Sequence, residues 1–163
     1  MISKHLRYCG LRWLWLSFIV VILDLLSKQW VITHLLLHES ISIMPYINLY
    51  HSHNSGAAFS FLADQDGWQR WFLSGITSTL LTILLFSMYY NQVKCTLHNI
   101  AYALLIGGAL GNLYNRITYG FVIDFIDLHL KEWHFATFNI ADSAIFIGIV
   151  LFLCKRNYSS SHS

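Results

Sequence analysis

The chain has 163 residues, of which 56% are hydrophobic and 11% charged, against roughly 25% charged in an ordinary soluble domain. Ten Lys and Arg with eight Asp and Glu cannot furnish the polar shell of a soluble monomer; a 16% aromatic content excludes intrinsic disorder, and a net charge of +2 without a basic cluster excludes a nucleic-acid partner. The remaining class is an integral membrane protein.

After a basic lead-in (Lys4, Arg7, Arg12), residues 13–32 are apolar except for Asp24 and Lys28. Twenty residues of helix are about 30 Å long, the thickness of a bilayer core. A secretory signal peptide starts similarly, but no small-x-small cleavage site follows, so this stretch reads as an uncleaved first span. From 33 to 70 the pattern breaks up. "SISIMPYINLYHSHNSGAAFSF" is rich in Ile, Tyr and Phe in rough alternation, with Asn54, Ser55 and Gly56 supplying a turn, which predicts a small β-structured excursion outside the lipid.

Residues 71–90 and 96–114 carry no charge and read as the second and third spans, joined by a tight turn. Gly107 and Gly111 in the third stand four apart, the spacing that lets helices approach closely in lipid. A polar stretch follows, within which "FVIDFID" is apolar enough to rest against the bilayer surface, and then a fourth span, 139–154, interrupted by Asp142. The expected fold is therefore an all-α integral membrane protein. Residues 1–156 form one domain, a four-transmembrane-helix bundle with a small β-rich extracytoplasmic platform and an extracytoplasmic loop; residues 157–163 form a disordered cytoplasmic tail. The single Pro and the separated Cys9, Cys95 and Cys154 suggest neither a disulfide framework nor metal-ligand spacing.

Charge placement orients the bundle. Lys4, Arg7, Arg12, Lys94, Lys155 and Arg156 fall at the termini and the second connection, whereas Arg70, Arg116 and Lys131 fall in the first and third. The positive-inside rule then makes both termini cytoplasmic and both long connections external. A carboxylate near the middle of a span costs about 2.5–3.5 kcal/mol on insertion scales. Asp24 has Lys28 one turn on, in the favourable order, and reads either as an intrahelical ion pair or as a group with a direct chemical role. Asp142 has no such partner. Asp124 and Asp142 flank one connection, so side-by-side packing of the third and fourth helices brings both carboxyls to the outer interface. Two carboxyls in a desolvated site separate their pKa values, as an aspartic peptidase requires; the alternative is a surface Asp and a second Asp complementing a helix dipole. His51 and His53 share a strand face, but a metal site needs further ligands.

Five blocks in order, "DLLSK", "NSGAAFS", "GGALGNLYNR", "GFVIDFID" and "FNIADSAI", resemble the signature blocks of the lipoprotein signal peptidase (signal peptidase II) family, from Asp24 to Ile145. The resemblance implies an aspartic endopeptidase of the bacterial plasma (inner) membrane, active at its extracytoplasmic face on prolipoproteins already carrying a diacylglyceryl group on the Cys that becomes the new N-terminus, and cutting just before that Cys. It further implies Asp124 and Asp142 as the catalytic pair, with Asn54, Gly108, Asn112, Arg116, Asn139 and Ala141 at substrate-binding positions and Asp24 with Lys28 as a structural pair. No cofactor or metal is expected, and the partners are lipidated precursors and membrane lipids around a monomer. One departure stands out: the family usually has Asp just before the Arg of the third block, and here the residue is Asn115. Two competing readings are a small four-span proton-coupled transporter, which also places an acid in its first span, and a non-enzymatic assembly factor.

Overall fold

The computed structural model describes residues 10–56, 67–90 and 96–160, with side chains to Cys154. The second half of the "NSGAAFS" block, the turn at 91–95, the bases before position 10 and residues 161–163 lie outside the described residues. A 3-10 turn, Leu11–Trp13, leads into α1, Leu14–His34; β1, Ser40–Met44, and β2, Ile47–Asn54, follow, then α2, Trp68–Tyr90, α3, Thr96–Tyr119, β3, Val122–Leu130, β4, Trp133–His134, and α4, Ile140–Ser160.

α3 is the hub, packing against α4 most extensively and against α1 and α2. Residues 11–34 and α2 are long and apolar enough to cross a bilayer, each holding an 18-residue stretch of mean hydropathy 1.7 and 1.6 respectively. The apolar run of α4, Ile140–Cys154, is shorter, although its helix continues to Ser160 and so takes in residues 157–160 of the expected tail. The burial pattern is inverted relative to a soluble protein. Phe18, Leu26, Trp71 and Phe146 are more than 60% exposed, while Ser17, Asp24, Lys28, Asn99, Asn112, Asn115 and Asn139 are buried. Lipid is as good a solvent for Leu and Phe as a protein core, so apolar side chains gain little by facing inward, whereas polar ones must find each other. Ser17 Oγ accordingly donates to the Ala103 carbonyl of α3 at 2.7 Å.

The small residues of α3 fit close neighbours. A Cβ on Gly107 would stand 2.8 Å from Val20 Cβ of α1, and one on Gly108 would run into the Ala141 carbonyl of α4. The expected close approach at Gly107 and Gly111 is thus made to α1, with Gly108 serving the α4 contact.

The all-α expectation needs correcting in one respect, because "FVIDFID" adds a strand to the expected β-rich platform. From Val122 on it lies in β3, an inner strand of a four-stranded antiparallel sheet of order β1-β2-β3-β4, with Val122, Ile123, Asp124 and Phe125 all buried. Pairing with β2 puts Ser52 opposite Asp124 and Asn54 opposite Val122. An extended segment at the lipid boundary cannot leave its amides unpaired, so the ladder satisfies them. Ile123 and Phe125 also clamp the sheet to the bundle by packing on Val31 and Leu35 at the end of α1.

Candidate active site

Two chain reversals bring the acidic residues together. α3 ends at Gly120, whose left-handed φ of +87° suits glycine and whose amide donates to the Arg116 carbonyl at 3.1 Å. This turn feeds straight into β3 and sets Asp124 at the mouth of the bundle. On the return, Phe138 pairs with Ile126, and Asn139 caps α4.

The cap is reciprocal. Asn139 Oδ1 accepts from the Asp142 amide at 2.9 Å, and Asp142 Oδ2 accepts from the Asn139 amide at 3.3 Å. This is a capping box with Asp at the third helical position. It holds Asp142 by its own helix end. The second amide of that turn, Ala141 N, donates to Asp24 Oδ1 of α1 at 2.9 Å.

Asn139 then joins the two candidate carboxylates. Its Nδ2 donates to Asp124 Oδ1 at 2.7 Å, while its backbone N serves Asp142 Oδ2. Asp124 Oδ2 accepts from Asn54 Nδ2 at 2.9 Å, and Asp142 Oδ1 accepts from Asn112 Nδ2 at 2.7 Å. Asn54 is itself locked, since its Oδ1 accepts from the Gly56 amide at 2.9 Å, an Asx turn. Each carboxylate oxygen thus has one fixed donor and keeps lone-pair capacity for water or substrate.

Asn112 connects this pair to the first helix. Its Oδ1 accepts from Lys28 Nζ at 2.9 Å, and Lys28 Nζ also donates to Asp24 Oδ2 at 2.7 Å. A continuous polar chain therefore runs from Asp24 through Lys28, Asn112 and Asn139 to Asp124 and Asn54, with Asp142 attached at two points. Buried polar groups satisfied in this way are held rigidly.

The expected site residues fall into two groups. Asp24, Lys28, Gly108, Asn112, Asp124, Asn139 and Ala141 are buried, whereas Asn54, Arg116 and Asp142 keep intermediate exposure. The open side of the site is therefore Asp142, Asn54 and Arg116, and Asp124 is reached past them. The Arg116 guanidinium makes no side-chain hydrogen bond among the described residues, and Asp142 and Asp124 are its charged neighbours.

Burial foremost, with the charge of Asp142, raises the Asp124 carboxyl from its ordinary value of 3.8 to about 6, against the Asn54 and Asn139 hydrogen bonds and the charge of Lys28. An acid that titrates near neutrality beside a second carboxylate is suited to exchange protons with a bound substrate.

Three sets of contacts go beyond what the sequence indicated. Asn115, fully buried, accepts the Ile123 amide at 3.4 Å and so ties α3 to the residue before Asp124. His51 donates Nδ1–H to the Leu35 carbonyl at 3.0 Å, which leaves its Nε2 to accept from His53 Nε2 at 3.1 Å; the two rings lace β2 to the end of α1. Asp127 pairs with His134. Only the His-x-His spacing carried any local signal.

With this geometry in place, comparison with known proteins is specific. A family profile described as signal peptidase (SPase) II matches residues 16–156. The lipoprotein signal peptidase of Yersinia enterocolitica serotype O:8 / biotype 1B is 58% identical over 149 residues, 91% of this chain and 88% of that protein. Its namesake from Yersinia pseudotuberculosis serotype O:1b is 55% identical over the same shares. Two solved bacterial membrane enzymes share the fold. One, determined in meso at 2.3 Å, has a TM-score of 0.83 at 29% identity, covering 93% of this chain and 91% of that one. The other, at 1.9 Å, has a TM-score of 0.82 at 30% identity over 94% and 97%.

Proposed function

Because the chain belongs to the signal peptidase II family, and so is a membrane protease that cleaves signal peptides from lipoprotein precursors, we propose that Asp124 and Asp142 perform this cleavage as an aspartic pair. The transporter reading falls with that membership. The observation that supports the catalytic assignment best is Asn139, one residue holding both carboxylates.

In the proposed reaction Asp124, the more deeply buried, holds the proton and donates it toward the scissile carbonyl oxygen. Asp142, in the first turn of α4 at the positive end of the helix dipole, takes a proton from water as the water oxygen bonds to the carbonyl carbon. The tetrahedral diol collapses as Asp142 returns its proton to the amide nitrogen and the C–N bond breaks; Asp124 recovers its proton from the diol as the new carboxyl forms. Asn54 and Arg116, on the open side, bind the substrate backbone or its phosphoglyceride-like head, and the buried Asn112, Asn139 and Ala141 keep the two acids in register.

All four helices span the plasma membrane; α3, packed by α1, α2 and α4, is shielded enough to carry more polar residues, while α4 turns Phe146, Ile147 and Leu153 to the lipid. Both termini are cytoplasmic, and the sheet and the acidic pair stand at the outer face. There the diacylglyceryl chains of the substrate lie in lipid while the bond before its Cys reaches the pair, and a single chain supplies the whole site. The test is cleavage of a lipidated precursor by purified protein. Asp124→Asn and Asp142→Asn are each expected to lower turnover at least about a thousandfold with insertion intact. Near wild-type turnover in either variant rejects the assignment.

A further inference from the structure

Away from the acidic pair, the sheet carries a half-open cavity of about 450 Å³ lined by Ser40 of β1, Tyr50 of β2, Asp127 of β3 and His134 of β4, with Phe135 and Thr137 beyond. All four strands contribute to it, so it exists only once the platform has assembled. Asp127 is buried at 4% exposure. It accepts from Asn48 Nδ2 at 3.1 Å and from His134 Nδ1 at 2.8 and 3.0 Å. A carboxylate only accepts, so the proton of His134 is on Nδ1, and the ring is further held by stacking on His129 at 5.2 Å.

These contacts leave part of the lone-pair capacity of Asp127 unused, and among the described residues no Lys or Arg lines the cavity. The walls include the aromatic residues Tyr50 and Phe135 and the hydroxyl-bearing Ser40 and Thr137. A buried carboxylate behind aromatic walls suits a long side chain with an aliphatic stem and a cationic end, which packs its methylenes on the rings and donates to the acid.

The position of the cavity says where such a side chain comes from. Asp127 lies three residues along β3 from Asp124, about 10 Å at strand rise, a distance an extended peptide covers in three residues. The signal sequence occupies the bilayer, so the part of the precursor beyond the cut is the part that crosses the platform. Building on the aspartic-pair reading above, we propose that this cavity is a specificity subsite for a Lys or Arg side chain about three residues beyond the scissile bond of the precursor.

The test uses full-length enzyme in phosphatidylglycerol nanodiscs and lipidated precursors identical except for Lys, Ala or Glu at each of the first five positions after the cut. At one position, Lys is expected to exceed Glu in kcat/KM by about tenfold, the size of one charge-assisted hydrogen bond, chiefly through KM. Asp127→Asn should reduce that ratio below about twofold while leaving the all-Ala precursor unaffected. Phe135→Ala, which keeps the charge, should weaken the Lys preference in part. Cleavage with no preference at any position, or a preference unmoved in both variants, overturns the subsite. So does an Asp127-dependent difference between phosphatidylethanolamine and phosphatidylglycerol discs without positional preference, which assigns the cavity to a lipid amine. Failure to cleave any precursor instead rejects the proteolytic reading on which the subsite rests.

Discussion

Asp24 accepts the backbone amide of Ala141 at 2.9 Å across 117 positions of sequence. A carboxylate from the first helix thereby completes the N-terminal cap of the last one, a turn whose amides would otherwise go unsatisfied in a membrane. Asp142 is the next residue, so the first helix fixes one member of the acidic pair. Gly111 makes the reach possible, since a Cβ there would stand 2.5 Å from Asp24 Oδ2.

Removing Lys28 alone leaves Asp24 buried and uncompensated. Lys28→Met is expected to cost about 3–5 kcal/mol of stability. The double variant Asp24→Asn with Lys28→Met keeps an acceptor for Ala141 N and carries no charge, so it should recover most of that loss. Thermal unfolding of the purified single and double variants in detergent measures the coupling, and equal destabilisation in both argues against a buried-charge penalty.

Two helical glycines should respond in opposite directions. Gly108→Ala drives a Cβ into the backbone carbonyl of Ala141, which cannot move without the start of α4; a stability loss of about 2 kcal/mol or more should accompany a fall in kcat. Gly75→Ala meets nothing within 4 Å and should stabilise α2 by up to about 1 kcal/mol with no change in turnover.

The raised Asp124 pKa makes two pH statements. The pair needs one protonated member, so kcat/KM is expected to fall as pH rises through about 6, with the limb displaced upward in kcat because bound substrate desolvates the site further. The folded state also holds that proton more tightly than the unfolded chain, whose carboxyl titrates near 3.8. Stability therefore declines between about pH 4 and 6 and is flat above, by about 3 kcal/mol. Asp124→Asn removes this cost but sets an amide against two donors, so its expected gain is about 1–2 kcal/mol at pH 7.5 and none at pH 4. Melting curves at the two pH values check the sign.

Asn115 stands where the resembling family usually has Asp, and its Oδ1 accepts the Ile123 amide. Asn115→Asp preserves the acceptor and should keep activity within a fewfold. Asn115→Leu orphans a buried amide beside Asp124, at about 1–3 kcal/mol, and should lower kcat about tenfold while KM holds. A precursor-cleavage assay comparing the two variants distinguishes the hydrogen bond from the charge.

Particular residues show where reading the sequence works and where it stops. The Asp24 and Lys28 pairing followed from helical spacing alone, and the juxtaposition of Asp124 with Asp142 followed from their flanking one connection between two packed helices. The strand in "FVIDFID" did not follow, because an apolar stretch with two acids has no unambiguous period and its extended form depends on a partner, β2, far away in the chain. Helices α3 and α4 run on past the expected spans, to Tyr119 and Ser160, because hydropathy marks where lipid stops, whereas a helix continues for as long as its amides are paired. Asn112, at a substrate-binding position by resemblance, also joins Lys28 to Asp142 through its two side-chain polar atoms, a link that its sequence neighbours do not announce.

The amino-acid sequence by itself determined the solvent of this protein, the identity of its few charges and the helices that carry them, because each depends on composition and short-range period. The tertiary structure decided what those charges do. Asn139 belongs to both carboxylates, Asp24 caps a helix it never adjoins in sequence, and Asp127 closes a cavity built from four strands. Each is a hydrogen bond or a space between distant elements, and no local pattern encodes it; it appears when lipid offers the polar groups no partner except one another.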